Sequence, residues 1–161
     1  MAKEKVKDVF FNKTPNVQIR VIADNDSEQV KKDKKKYPFE LIDEVLVTVV
    51  TDERVFNFTI PKGYTWNGAD IPRFCWRLVG SRTDNDFLIA SMIHDYILEF
   101  KTFIQKEILK EELSTKEYRR LTSLIFRQKL KDAEVGTIKA NIMSYCVDVF
   151  QMFNFKGWKN D

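Results

Sequence analysis

The spacing of apolar residues changes once along this chain. Up to Ile60 the period is two. Val17, Ile19 and Val21 alternate with Gln18 and Arg20, the pattern of a half-buried strand. Asp24 to Lys36 is polar and charged and reads as a long loop. Phe39 to Val50 is a second strand region, with Leu41, Val45, Val47 and Val49 on an inner face. Asp52-Glu53-Arg54 supplies a turn, and Val55, Phe56, Phe58 and Ile60 form a third strand. Short turns join adjacent antiparallel strands, so the predicted arrangement is a β-meander.

Pro61 ends the third strand because proline cannot donate to a ladder. Gly63 and Gly68 allow positive φ and Pro72 fixes the exit direction, so Lys62 to Arg73 reads as an ordered, irregular loop. Beyond it the period becomes helical. Thr83 and Asp86 resemble a capping arrangement for a helix over 84–100, with Ile89, Met92, Ile93, Tyr96 and Ile97 on one face. Ser114 and Glu117 form a capping box for a helix reaching Lys131, with Leu121, Leu124, Ile125 and Leu130 inward. Gly136 separates it from a third helix over 137–153 that carries Ile138, Ile142, Tyr145, Val149 and Met152. The linker from Thr102 to Leu113 has room for a further helical turn.

Strands followed by helices predict an α+β fold. An N-terminal antiparallel β-meander is followed by about three C-terminal helices packed on one side of the sheet. The chain is read as a single domain over 1–161. Within it, 1–36 is a strand plus a basic loop and 37–60 a β-hairpin. Residues 61–82 are the ordered Gly/Pro/Trp loop, 83–153 the helical part and 154–161 an aromatic tail.

Composition fits a folded domain, since apolar residues make up 43% and aromatics 13% of the 161 residues. A net charge of +3 is too small to argue for nucleic acid, which calls for a concentrated basic face. The run Lys31-Lys32-Asp33-Lys34-Lys35-Lys36 reads first as a solvated hairpin tip, and second as a contact for phosphate or an acidic partner. The two cysteines, Cys75 and Cys146, match no metal spacing. Each reads as a small core residue, which points to a reducing compartment. The charged N-terminus is not a signal peptide, and no window is long and apolar enough for a membrane span.

Candidate chemistry centres on His94, the only histidine. Helix neighbours point about 100° apart, so Asp95 is poorly placed to hold the ring as a triad aspartate does. The loop carboxylate Asp70 is the natural nominee, with Asn67 beside it. In the functional reading His94 is a general base or one ligand of a mixed oxygen–nitrogen metal site. In the structural reading it holds the Thr65–Ile71 loop on the helix. One histidine excludes a His-Glu-x-x-His zinc site. No Gly-x-Ser-x-Gly or P-loop pattern is present. Tyr64, Trp66, Phe74 and Trp76, interleaved with Arg73 and Arg77, read as core or as a gripping surface. Phe155 and Trp158 suggest a tail that docks.

These residues resemble a known family. Pro61-x-Gly63-Tyr64-x-Trp66-Asn67-Gly68-Ala69-Asp70-Ile71-Pro72, then Phe74 and Trp76, then His94-Asp95-Tyr96, look like the phage and prophage "domain of unknown function 1353". A later helix with Tyr118-Arg119-Arg120 and Phe126, and a last helix ending near a glycine and Trp158, also fit. The resemblance runs from Phe39 to Trp158. It implies a phage origin, with no agreed biochemical activity.

The reading that follows is a virion structural or assembly protein of tail, neck or baseplate. It would bind other virion proteins through Trp66, Arg73, Trp76, Phe155 and Trp158. Its expected location is the virion, and the host cytoplasm during assembly. No cofactor, metal or membrane is expected, and homo-oligomerisation is open. The alternative is a small phage hydrolase using His94 with Asp70 or Asp95, with Asn67 positioning substrate and a metal as an option.

Overall fold

The computed structural model describes residues 3–68, 85–132, 141–142 and 144–146, with the backbone alone for 85 and 86. Strands come first and the longer helices after them, with one helix set among the strands. β1 (Val6–Phe11), β4 (Val45–Thr51) and β5 (Val55–Ile60) form one three-stranded sheet in the order β1-β4-β5. β2 (Val17–Ile19), β3 (Phe39–Leu41) and β6 (Thr65–Trp66) form a second in the order β2-β3-β6. Every pairing is antiparallel. The helices are α1 (Glu28–Lys36), α2 (Asn85–Glu99) and α3 (Thr115–Asp132). Between α2 and α3, a turn at Lys101–Phe103 runs into a π-helical segment, Ile104–Leu109. The fold is α+β.

The β4–β5 hairpin is the centre of the first sheet. Val45 pairs with Ile60, Val47 with Phe58 and Val49 with Phe56, all pointing into the core. The predicted turn holds: the Thr51 amide donates to the Arg54 carbonyl at 2.9 Å, and the Thr51 hydroxyl oxygen accepts the Arg54 amide at 2.9 Å. Arg54 then donates to Glu4 at 2.8 Å and Glu111 at 2.6 Å, tying the turn to the N-terminal segment and to the chain before α3. Burial alone would raise the Glu4 carboxyl, but hydrogen bonds from Arg54 and Thr51 outweigh it and hold the carboxyl below its ordinary value.

β1 has no clean alternation and is not predicted from sequence. A register shift between Val6 and Asp8 explains why. The irregularity changes which parity faces inward, so Val6 and Val9 both point toward the core. α3 covers this strand. The Lys129 ammonium reaches the Val9 carbonyl at 3.2 Å and lies 4.7 Å from the Phe11 ring centroid.

The predicted second strand is two strands in different sheets, β3 and β4, separated at Ile42–Glu44. The predicted loop over 24–36 holds a helix instead. Ser27 caps α1 by accepting the Val30 amide at 3.3 Å. Glu28 stands in its first turn and Lys34, Lys35 and Lys36 in its last, matching the helix dipole at both ends. Polar composition suggested a loop, but these caps and terminal charges make a surface helix with no buried residue.

The capping box at α3 is present as predicted. The Ser114 amide and hydroxyl donate to the Glu117 carboxylate, at 3.0 Å and 2.6 Å. Leu121, Ile125 and Leu130 are buried, while Leu124 is half-buried. The predicted helix over 137–153 lies largely outside the described residues, of which 141–142 and 144–146 are helical. Its inward face differs from expectation: Tyr145 is exposed, while Ser144 and Cys146 are buried. Cys146 is disulfide-bonded rather than a free core thiol. The chain's other cysteine, Cys75, lies outside the described residues.

Candidate functional site

α2 carries His94-Asp95-Tyr96. From Phe87 to His94 every residue is buried, so the helix is covered nearly all round. The sequence shows one apolar face, but small and polar positions such as Ala90 and Ser91 are buried as well. Ser91 stays satisfied by donating its hydroxyl to the Leu88 carbonyl at 2.7 Å.

His94 is 3% exposed. Its ring meets Phe126 of α3 edge-on, with centroids 5.4 Å apart, and Phe126 meets Phe87 the same way at 5.8 Å. The Nδ1 atom lies 3.5 Å from an Asp95 carboxylate oxygen, at the outer limit for a hydrogen bond. The helical period thus permits an approach between these neighbours, but a long one. Asp95 is half-buried at the edge of the helix.

The turn after β5 places the loop against this helix. The Gly63 amide donates to the Leu41 carbonyl at 2.8 Å, and the Leu41 amide donates to the Tyr64 carbonyl at 2.9 Å. Gly63 at φ +83° and Gly68 at φ +80° adopt the left-handed conformation, which a Cβ disfavours. Tyr64 and Trp66 then stack at 6.0 Å, and Tyr96 lies edge-on to Tyr64 at 5.2 Å. Tyr96 also stacks on Phe58 at 5.8 Å. Trp66 donates its indole N–H to the Leu88 carbonyl at 3.3 Å.

The Tyr64 hydroxyl donates to Glu99 at 3.1 Å. Burial, and then the nearby charges of Asp95 and Glu99, push its phenol far above the ordinary value. It therefore remains a neutral donor across the working pH range.

Of the residues singled out in the sequence, the structure seats Tyr64 and Trp66 against the helix that carries His94 and Asp95, through Leu88, Tyr96 and Glu99. Trp66 departs from its expected role. It is 1% exposed, because its ring completes the contact between the second sheet and α2, and it is not open to a partner. Asn67 is half-buried directly after β6. Asp70, Arg73, Trp76, Phe155 and Trp158 lie outside the described residues. Among the described residues, no cluster of three or more His, Cys, Asp or Glu side chains could hold a metal ion, and no helix is long and apolar enough to cross a membrane.

Sequence reasoning noted Tyr118 only within the family pattern and missed its role: it is fully buried on α3 and donates its hydroxyl to the Ile97 carbonyl of α2. Its place in the Tyr118–Leu121–Ile125 stripe was the available signal. The Glu4–Arg54–Glu111 network had none, because its partners are far apart in the chain.

An antiparallel two-sheet base, a buried His-Asp helix and a Gly/Trp turn seated against it define this class of α+β domain. The chain belongs to the family described as Protein of unknown function (DUF1353), whose model matches residues 40–147. That span begins in β3 and takes in the Gly/Trp turn and the whole of α2 and α3. No curated protein and no solved structure matches the chain.

Proposed function

We propose that this protein is a phage virion component of tail, neck or baseplate that works by binding other virion proteins. The burial of His94 carries the reading. A general base must reach the proton that it removes, and His94 is 3% exposed. Its ring contact with Phe126 and its long approach to Asp95 suit a residue that fixes α2 against α3. The contacts proposed from the sequence are Arg73, Trp76, Phe155 and Trp158. The phage setting rests on the family resemblance, and with it the virion location and the host cytoplasm during assembly.

The test is quantitative mass spectrometry of purified mature particles. A fixed copy number in a symmetry-compatible ratio to the major capsid protein is expected. Absence from particles despite abundant expression overturns the reading.

One observation favours the alternative, a small hydrolase: the His94 Nδ1 to Asp95 distance of 3.5 Å, which a modest rotation would shorten. On that reading a folded His94→Gln variant loses activity on a cell-wall or other host substrate. On the binding reading the same variant changes only stability.

A further inference from the structure

Among the described residues the outer edge of β2 is unpaired, and the apolar face of its sheet continues to that edge. Two hydrogen bonds fix the phase of the β2–β3 ladder. The Arg20 amide donates to the Pro38 carbonyl at 2.7 Å, and the Ile42 amide donates to the Asn16 carbonyl at 2.8 Å. In an antiparallel ladder, alternate residues turn their backbone groups to opposite sides. Asn16, Gln18 and Arg20 therefore face β3, and the N–H and C=O groups of Val17 and Ile19 point outward. Among the described residues no strand pairs with that side.

Side-chain direction adds a second feature. Val17 pairs with Leu41 and Ile19 with Phe39, and paired residues share a face. Leu41 and Phe39 are core, at 0% and 4% exposed, whereas Ile19 is 68% exposed. Val21 and Ile22, just beyond, are exposed too, as is Val30 on α1.

The charge beside this edge is positive. α1 contains five lysines against one glutamate and one aspartate. It is tethered at the end of β2, where Arg20 pairs with Asp33 at 2.9 Å and Lys34 donates to the Val21 carbonyl at 2.9 Å. Lys31 and Lys34 are taken up by Glu28 and Asp26. Lys32 and Lys35 stand exposed off the tethered face, with no ion pair among the described residues.

We propose that the outer edge of β2 docks an extended segment of a partner protein in which apolar and acidic residues alternate, added to the sheet as a strand. Main-chain hydrogen bonds to Val17 and Ile19 hold it, its apolar residues cover Ile19, and its acidic residues meet the Lys32 and Lys35 side of α1. Strand addition of this kind draws affinity from the backbone and specificity from alternate side chains. Charge selects the occupant. A second copy brings the same excess of lysine, whereas an acidic segment complements it. This surface lies outside the residues assigned to virion contact above, and the inference stands whether or not the chain is a virion protein.

The probe is a fluorescein-labelled peptide of alternating valine and glutamate, about seven residues long to match a typical strand. It is titrated with the full chain and followed by fluorescence anisotropy. Saturable binding is expected, and none for the valine–lysine counterpart. Ile19→Pro removes one outward N–H and leaves the β2–β3 ladder intact, so binding should weaken by about tenfold or more. The double change Lys32→Glu with Lys35→Glu should weaken it similarly, with a steep salt dependence in the original chain.

N-methylation of alternate peptide amides tests the same contact without touching the protein, should Ile19→Pro fail to fold. Binding indifferent to both N-methylation and Ile19→Pro, or no saturable binding, overturns the proposal. So does a dimer in sedimentation equilibrium that Ile19→Pro dissociates, which assigns the edge to a second copy. Particle mass spectrometry is independent of each of these outcomes.

Discussion

Two strands, the central β4 and the edge β2, carry the same sequence signal and meet opposite fates. Val45, Val47 and Val49 alternate along β4 and are each 0% exposed, while Ile19 at the end of β2 and Val21 just beyond it are 68% and 76% exposed. β4 lies between β1 and β5, and its inner face belongs to the core shared with α2 and α3. β2 is an edge strand at the end of its sheet. Alternation reports that a segment is extended with two unlike faces. Whether anything covers the apolar face is decided by topology, which the pattern does not encode. The central strand makes core, and the edge strand makes surface.

The comparison is tested most strongly by truncating one side chain in each region. Trp66→Ala, where the second sheet meets α2, should cost about 3–5 kcal/mol in urea unfolding, whereas Ile19→Ala should stay within about 0.5 kcal/mol. Similar losses at both sites would mean that Ile19 is covered, and the contrast would fail. Tyr118→Phe removes the hydroxyl that ties α3 to the Ile97 carbonyl, for a loss of about 0.5–1.5 kcal/mol. If stability is unchanged, that bond does not hold the two helices together.

Gly63→Ala forces a Cβ into left-handed backbone and should lower stability by about 1 kcal/mol. There is open space around the position, so the cost is conformational and Gly63→Asn should recover part of it. Equal stability of the alanine and asparagine variants would contradict this.

The smallest effect concerns pH. The Glu4 carboxyl is held below its ordinary value of 4.5 in the folded chain, so its contribution is present above that value and is lost as pH falls through the lower folded value. The difference in melting temperature between the original chain and Glu4→Gln should shrink on acidification through that window. A constant difference would show that the Glu4–Arg54 pair is not its source.

Much of the fold was legible where local rules and tertiary context agree. The β4–β5 hairpin, the turn at Asp52–Arg54 and the Ser114–Glu117 box follow from short-range chemistry and stand as expected. The reading failed where a local exception or a distant partner decides. The irregularity in β1 shifts its parity, and the cap at Ser27 turns a charged stretch into a helix. Cys146 is disulfide-bonded, which no spacing of two distant cysteines reveals.

In the candidate site, the His94-Asp95-Tyr96 and Tyr64–Trp66 segments stood out because glycine, tryptophan and the single histidine cluster in sequence. Their burial did not, since a functional cleft and a packed seam use the same residue types. Trp66 shows the difference: the sequence left it open as core or as a grip for a partner, and it is core.

The central contrast, a strand paired on both sides against a strand at the sheet edge, is tested most directly by amide hydrogen exchange resolved residue by residue. The amides of Val47 and Val49 should be strongly protected. Along β2, those of Gln18 and Arg20 should be protected while those of Val17 and Ile19 exchange freely, giving a two-residue alternation. Protection of Val17 and Ile19 in the isolated chain would show that the edge is already covered, and would contradict the account.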